Sequence, residues 1–283
     1  MKFTKLMIFF SLASVGATSF NAAADTTSTI FSQSKEENIP FYLPINETQF
    51  PGLVASLQTA LSDADLNHLK LMTTDYWHPY QNGIRQGRLG IYLAAPHFAS
   101  WLVNRHNFQP HLKLAGPLRY VIAARQADSA IFEVNDLVNK TVCTNATMDI
   151  SFLLVRESMP RSVLSAKTKR VESVLEQMRQ NNKRCDAFSL SEHLFLKAAA
   201  GQPFKFIRLQ QSDEFSNYAY LFHPKVSPQT KSALVKLLKK RAIGEILKPM
   251  HQLFSAEPRL VHATADHYLP AQISPLIHYW SND

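Results

Sequence analysis

The sequence predicts an α/β fold with two lobes, each built on an open α/β sheet and joined to the other by two crossing strands. Short apolar or β-branched runs alternate with stretches of helical periodicity along the 283 residues, a length that suits two domains better than three. The alternation stops at Gly116-Pro117 and then starts again. Neither a flexible linker nor a fixed-period repeat separates the two cycles, so we expect chain crossings rather than independent domains.

The first cycle alternates strand and helix three times. Leu53, Leu57 and Leu61 recur at a spacing of four, which places them on one face of a helix. Pro96 ends the third strand, because proline cannot donate a ladder hydrogen bond. The expected strands are Asn38–Leu43, Leu69–Thr73 and Leu89–Ala95, and the expected helices are Leu53–Leu61, Tyr76–Gly87 and Ala99–Val103.

The second cycle ends with a strand that returns to the first lobe. Ser227-Pro228 then provides an N-cap and a first helical residue for a helix that carries Leu234, Leu237 and Leu238. The last 30 or so residues are expected to be helical with loops. The expected strands are Leu118–Arg125, Lys140–Thr144, Arg184–Leu190, Phe204–Leu209 and Asn217–His223, with an amphipathic helix over Val171–Met178.

These elements give a domain organisation. Residues 1–24 are expected to be a signal peptide, residues 25–117 the first part of lobe 1, and residues 118–220 lobe 2. Residues 221–283 return to lobe 1 and add the C-terminal helices. The expected crossings are Gly116–Tyr120 and Asn217–His223.

The N-terminus has the pattern of an export signal. Lys2 and Lys5 precede the apolar stretch Leu6–Phe20, and Ala22-Ala23-Ala24 offers a cleavage site before Asp25. A membrane anchor is the alternative, but the stretch is short and interrupted by small polar residues. No cysteine stands near the cleavage site for lipid attachment. We therefore expect a periplasmic protein secreted through a cleaved signal peptide.

Charge and cysteine content fit this compartment. The formal charge of +8 becomes +6 without the two lysines of the signal peptide. Such a surface could attract anions, or it could simply maintain solubility. Nucleic acid is an unsuitable partner in the periplasm. Cys143 and Cys185 suggest one disulfide in an oxidising compartment, with two buried free thiols as the alternative.

Recognisable catalytic and cofactor motifs are absent from the sequence. It contains no G-x-S-x-G, H-E-x-x-H, Walker A or G-x-G-x-x-G pattern. The eleven histidines form no cluster with cysteines or carboxylates at metal-ligand spacing. We therefore expect no metal, no cofactor and no enzymatic activity.

Three stretches in order resemble the phosphate-, phosphite- and phosphonate-binding family of type 2 periplasmic binding proteins. They are Tyr76–Val103, Ser129–Val155 and Val174–Phe195, within a similarity that runs from about Asn38 to Leu238. The resemblance implies two lobes that hinge over a cleft, with helix N-termini facing an oxyanion. It also implies that the strands of Cys143 and Cys185 are neighbours. Gly90 departs from the family, which usually has an aspartate there.

The resemblance implies a set of ligand-binding residues. The second lobe would donate hydrogen bonds from the loop Thr144–Met148, which carries fewer hydroxyls than is usual for the family. Aromatic residues are abundant around the expected cleft. The implied ligand-binding residues are Tyr76, Trp77, Tyr92, His97, Tyr120, Thr144, Asn145, Thr147, Ser189 and Tyr218.

The expected function is capture of a small solute and its delivery to an inner-membrane transporter permease by a monomeric binding protein. A phosphonate-like oxyanion is the first candidate ligand. The aromatic content favours a second candidate, an apolar, lipid- or sterol-like ligand in a trafficking or sensing system. A periplasmic enzyme remains a third class, which turnover of a small phosphate ester would establish.

Overall fold

Two mixed β-sheets covered by helices form the framework of the protein in this computed structural model. The structure describes residues 38–45, 47–73, 77–126, 130–144, 167–170, 174–179, 185–200 and 205–268, with the backbone alone at residues 77, 167–170 and 179. All of them lie in one compact unit, residues 36–283. The expected signal peptide, residues 1–24, lies outside the described residues.

Lobe 1 is built on a six-stranded sheet with the order β11-β4-β10-β3-β1-β2. The pairs β1–β2 and β1–β3 are parallel, whereas β10 and β11 run antiparallel to their partners. Its strands are β1 (Ile39–Leu43), β2 (Leu69–Thr73), β3 (Ile91–Ala94), β4 (Gln109–Ala115), β10 (Ala219–Phe222) and β11 (Glu257–His262).

Helices cover both faces of the lobe 1 sheet, which is why its central strands are buried on both sides. One face packs against α1 (Leu53–Ser62), α6 (Pro228–Leu238) and α7 (Arg241–Phe254). The other packs against α2 (Trp77–Arg85) and α3 (Pro96–His106). As the sequence predicts, the Ser227 hydroxyl caps α6 by accepting from the Thr230 N–H at 3.1 Å, and Pro228 is the first helical residue.

Lobe 2 is built on a five-stranded sheet with the order β7-β6-β8-β5-β9. The pairs β6–β7 and β6–β8 are parallel, and β5 runs antiparallel to both neighbours. The strands are β5 (Tyr120–Arg125), β6 (Thr141–Thr144), β7 (Lys167–Arg170), β8 (Ala187–Ser191) and β9 (Phe206–Gln211). The helices α4 (Val174–Arg179) and α5 (Glu192–Ala199) pack on one face.

Cys143 and Cys185 form a disulfide within lobe 2. Their Cα atoms are 5.7 Å apart, and the bond closes a sequence separation of 42 residues. Cys143 lies in β6, and Cys185 stands two residues before β8. The disulfide therefore holds together two neighbouring parallel strands at the core of the lobe.

Two short segments connect the lobes. The first runs from the end of β4 to the start of β5, and the second from the end of β9 to the start of β10. They pair with each other through Leu118 and Phe215, whose backbone groups exchange two hydrogen bonds of 3.0 and 2.8 Å. The first crossing lies where the sequence predicts it. The second lies earlier than expected, because β10 belongs wholly to the lobe 1 sheet, and the expected boundary at residue 220 falls inside that strand.

Three strands differ from the sequence-based expectation. β4 and β7 were not expected as strands, and β11 replaces part of the helical C-terminal region that was expected. β4 and β11 pair with each other and, through β10, complete the antiparallel side of the lobe 1 sheet. Pairing over such long sequence separations leaves little local signal in the sequence.

Candidate functional site

The carboxyl ends of the parallel strands in both lobes face the crossings. In lobe 2, Ser191 at the end of β8 pairs with Tyr120 at the start of β5, directly after the first crossing. In lobe 1, Ala94 at the end of β3 pairs with Ala219 at the start of β10, directly after the second crossing. In open α/β sheets this edge is where ligands bind. The region between these two edges is therefore the candidate site.

Four polar side chains share one face of the lobe 2 sheet at this edge. Tyr120, Ser189 and Ser191 alternate with core residues of the opposite face, and Thr144 ends β6 on the same side. All four are buried. The structure thus brings together three residues that the sequence analysis assigned to the site, Tyr120, Thr144 and Ser189, and adds Ser191.

Ser191 is the residue that the sequence analysis missed. It stands at the N-cap of α5, yet its hydroxyl makes no capping hydrogen bond. The Oγ atom is buried and has no hydrogen-bond partner among the described residues, in a side chain that is 8% exposed. A serine before a helix normally indicates a cap, which conceals any other role in the sequence. A buried hydroxyl that caps nothing is available to a ligand.

The assigned residues of lobe 1 are packed more deeply. The Tyr92 ring is stacked on Tyr42 at 4.6 Å, and its hydroxyl donates to the Arg88 carbonyl at 3.3 Å. Arg88 precedes β3, so the hydroxyl points toward the amino end of the strand, away from the crossings. Burial raises the pKa of Tyr92 far above its ordinary value, and the hydroxyl stays neutral. Tyr92 is therefore part of the lobe 1 core.

His97 lies nearer to the candidate site, in the first turn of α3 directly after β3. Its ring is buried and stands 4.0 Å from the Phe98 ring. The N-terminus of α3 follows the carboxyl end of a parallel strand, so the positive end of this helix is directed to the edge that faces the crossings.

Tyr218 lies at the second crossing and packs against residues of lobe 1 and of the crossings. Its ring is stacked on Phe254 of α7 at 4.3 Å, and it packs against the small crossing cluster that includes Leu118 and Phe215. The neighbouring Asn217 is fully buried; its Nδ2 donates to the Ala115 carbonyl at 3.2 Å, and its Oδ1 accepts from the Tyr218 N–H. Asn217 therefore holds the two crossings together.

Four of the assigned residues belong, wholly or in their side chains, to parts of the chain that the structure does not describe. Tyr76, Asn145 and Thr147 lie outside the described residues, as does the side chain of Trp77. Their assignment to the site stays a prediction.

A second contact between the lobes lies on the opposite face of the lobe 2 sheet. His193 of α5 approaches the Leu253 carbonyl of α7 with its Nε2 at 3.2 Å. Next to it, Arg119 of the first crossing pairs with Glu192 and Glu214, and Arg208 pairs with Glu192 at 2.9 Å. Arg119 and Arg208 are thus paired with Glu192 and Glu214 on the side of the crossings where His193 joins the lobes.

The described part of the chain shows no metal-binding cluster. Within the ranges that the structure describes, no group of three or more histidine, cysteine, aspartate or glutamate side chains could hold a metal ion. The described side chains at the candidate site are mostly hydroxyl-bearing and aromatic.

Comparison with solved structures identifies the fold. The binding-protein component of an ABC phosphonate transporter from Pseudomonas aeruginosa has a TM-score of 0.62 at 13% identity, covering 83% of this chain and 84% of that chain. A Xanthomonas citri protein bound to ATP gives 0.61 at 14% identity, covering 86% and 98%. PhnD1 from Prochlorococcus marinus in complex with methylphosphonate gives 0.60 at 11% identity, also covering 86% and 98%.

These similarities confirm the two-lobed type 2 periplasmic binding protein fold that the sequence predicts. No protein-family model matches the chain, and a search of curated proteins finds no match. Among the residues searched, which are those the structure describes, no helix has the length and apolar character needed to cross a membrane.

Proposed function

We propose that this protein is a periplasmic solute-binding protein that captures a small ligand in the cleft between its lobes and delivers it to an inner-membrane transporter. One observation carries the proposal. The lobes are joined by two short crossings that pair with each other, and the carboxyl edges of both sheets face that joint. Such a joint permits the lobes to close over a ligand, and the closed form is what a permease would recognise.

The crossings have the features of a hinge. Gly116 begins the first crossing with a φ of 73°, in the left-handed region that glycine adopts without strain. A side chain at this position would also approach the Glu257 carboxylate at 3.3 Å. Asn217 fixes the second crossing to the end of β4. Rotation would then be limited to the short segments between these residues and the first residues of β5 and β10.

The polar residues of lobe 2 support an oxyanion as the ligand. Thr144, Ser189 and Ser191 present hydroxyl groups from two adjacent strand ends, and hydroxyl donors bind charged oxygens more strongly than neutral ones. The disulfide at Cys143 holds β6 against β8 and so fixes the relative position of these hydroxyls. A phosphonate-like anion, with several equivalent oxygens, suits this set of donors.

The apolar alternative has weaker support. Tyr92, one of the aromatic residues assigned to the cleft, packs in the lobe 1 core against Tyr42. Tyr80 and Tyr268 likewise donate their hydroxyls to the backbone carbonyls of Leu93 and Asn217 at 2.8 and 2.7 Å. Tyr120, Tyr218 and His97 are the assigned aromatic and histidine side chains that the structure describes near the cleft edge.

Native mass spectrometry of the protein purified from periplasm tests the proposal. We expect the spectrum to show a small molecule that is released on denaturation. The emptied protein should then become more compact, as measured by small-angle scattering, when that molecule is added back. Phosphate, phosphite and methylphosphonate are tested in the same way. A protein that binds none of these and never changes its radius of gyration would contradict the proposal. Steady hydrolysis of a phosphate ester by the same preparation would establish an enzyme instead.

A further inference from the structure

A groove at the far end of lobe 1 has no role in the cleft. It has a volume of about 720 Å³ and runs between the start of β4 and one face of α6. β4 begins at Gln109 in the groove and reaches the first crossing only at Ala115, so the length of the strand separates the two sites. We call this the distal groove; it is lined by Gln109, His111, Pro228, Lys231, Ser232, Val235, Lys236 and Lys239.

The distal groove is positively charged and lacks acidic residues. Lys231, Lys236 and Lys239 line it, and no carboxylate is among its lining residues. None of the three lysines takes part in an ion pair within the described part of the chain. Uncompensated lysines on a concave surface concentrate positive potential and attract anions.

Lys231 is held in place by the protein and is not a mobile surface lysine. Its side chain is 9% exposed, and Nζ donates to Gln109 Oε1 at 2.9 Å and to the Pro224 carbonyl at 3.3 Å. Burial lowers the pKa of Lys231, and both of its hydrogen-bond acceptors are neutral. An ammonium group has three N–H donors, so one remains for an anion that would also balance its charge.

His111 supplies a second donor in the same groove. Its Nε2 atom is buried and has no hydrogen-bond partner among the described residues, while its ring packs edge-on against Phe222 at 4.9 Å. Burial lowers the pKa of His111, and Lys231 and His262 act in the same direction. An anion bound beside Lys231 would oppose that effect and give Nε2 a partner.

We propose that the distal groove binds an oxyanion of the phosphoryl class, with Lys231 and His111 as the buried donors and Lys236 and Lys239 as the exposed ones. A free phosphate or phosphorylated solute and the headgroup of an anionic phospholipid share this chemistry. The proposal does not depend on the function of the cleft, because the residues differ and lie at opposite ends of β4.

Backbone NMR of the mature protein tests the proposal with a local readout. Inorganic phosphate is added at constant ionic strength, and we expect amide shifts along α6 and at His111, with chloride at the same ionic strength giving none. Lys236→Ala with Lys239→Ala should weaken phosphate binding at α6 about tenfold while leaving the fold intact. Lys70→Ala with Lys205→Ala removes the same charge from exposed positions outside the groove and should leave the affinity unchanged.

A second titration distinguishes the source of the anion. Phosphatidylcholine vesicles with and without phosphatidylglycerol replace the inorganic phosphate, and co-sedimentation is measured for the same two double variants. If the protein binds phosphatidylglycerol vesicles and only the Lys236/Lys239 variant loses this binding, the anion is a membrane headgroup. If phosphate shifts the amide signals but the protein does not bind vesicles, the anion is a soluble phosphoryl compound. Shifts confined to the cleft, or equal losses in both double variants, would overturn the proposal.

Discussion

The two lobes present different chemistry at the edges that meet at the crossings. In lobe 1 the hydroxyls of Tyr80 and Tyr268 already donate to backbone carbonyls, and the buried ring of His97 lies in the first turn of α3. In lobe 2 the polar groups are the small hydroxyls of Thr144, Ser189 and Ser191, and the Ser191 hydroxyl has no partner among the described residues. Under the proposed function, we expect the lobe 2 hydroxyls, and Ser191 above all, to be the groups that contact the ligand.

The lobes also differ in what stabilises them. Lobe 2 has a disulfide that joins β6 to the start of β8. Lobe 1 has no cysteine, and instead buries the neutral side chain of His251 between α7 and the sheet, where Nε2 bonds with the Tyr220 hydroxyl at 2.8 Å. Reducing agents should therefore weaken lobe 2, whereas the acid sensitivity that His251 contributes belongs to lobe 1.

The largest expected effect is the loss of the disulfide. Cys143→Ser with Cys185→Ser opens a loop with a sequence separation of 42 residues. In the chain-entropy model this lowers the free energy of unfolding by about 4 kcal/mol. In calorimetry, we expect lobe 2 of the variant to melt before lobe 1. We also expect it to melt at a lower temperature than lobe 2 of the oxidised wild-type protein.

The same double substitution to alanine controls for the polarity of serine, and thiol labelling of the unfolded, unreduced protein controls for the bond itself. Reactive thiols in that protein, or an unchanged free energy of unfolding, would contradict the expectation.

The second expected effect is a loss of stability in acid that arises in lobe 1. Burial lowers the pKa of His251 from an ordinary 6.5 to about 4. Below pH 6.5 the unfolded chain binds a proton that the folded lobe does not accept until about pH 4, so the stability contributed above pH 6.5 is lost progressively as the pH falls. At pH 5 the loss amounts to about 2 kcal/mol.

Urea unfolding at pH 7.5 and pH 5 measures this effect. His251→Gln removes the titrating group, and its free energy of unfolding should change less between the two pH values than that of the wild-type protein. His111, His193 and His223 also have pKa values that burial lowers, so part of the pH dependence should remain in the variant. Equal pH dependence in the two proteins would exclude His251 as a source.

The sequence predicts most strands of this fold and misses β4, β7 and β11. β1, β2 and β6 form short apolar runs bounded by turns or helices, and the structure confirms them. β4 contains Pro110 and β11 contains Pro258, so neither has a strong local strand pattern. Their pairing depends on partners more than a hundred residues away for β4, and local propensity does not contain that information.

The site shows the same limitation at the level of single residues. An aromatic residue in a buried strand has the same sequence pattern whether it faces a core or a cleft, and Tyr92 faces the core. Ser191 precedes a helix and has the pattern of an ordinary cap, although its hydroxyl does not cap the helix. Thr144 and Ser189 were assigned from a family resemblance; both lie on the lobe 2 sheet at the candidate site, and their part in ligand binding stays a prediction.

The third prediction tests Ser191 by separating affinity from stability. Removing a buried hydroxyl that has no partner should leave the free energy of unfolding unchanged or raise it, whereas removing a donor to a charged ligand should weaken binding about tenfold. Ser191→Ala should therefore bind the ligand more weakly and melt no earlier than the wild-type protein. Isothermal calorimetry and thermal unfolding measure the two quantities, with the exposed Ser62→Ala as the control.

A lower melting temperature for Ser191→Ala at unchanged affinity would indicate a structural hydrogen bond. The hydroxyl groups of lobe 2 would then be engaged within the protein, like those of lobe 1.

The smallest expected effect concerns Tyr92, and it tests the difference between the two lobes from the side of lobe 1. Tyr92→Phe keeps the ring stacked on Tyr42 and removes only the hydroxyl, whose bond to the Arg88 carbonyl is a long 3.3 Å. The free energy of unfolding should fall by about 1 kcal/mol or less, and the ligand affinity should not change, because the hydroxyl points away from the crossings. A clear loss of affinity in Tyr92→Phe, combined with none in Ser191→Ala, would reverse the roles of the two lobes and favour an apolar ligand bound by the aromatic residues of lobe 1.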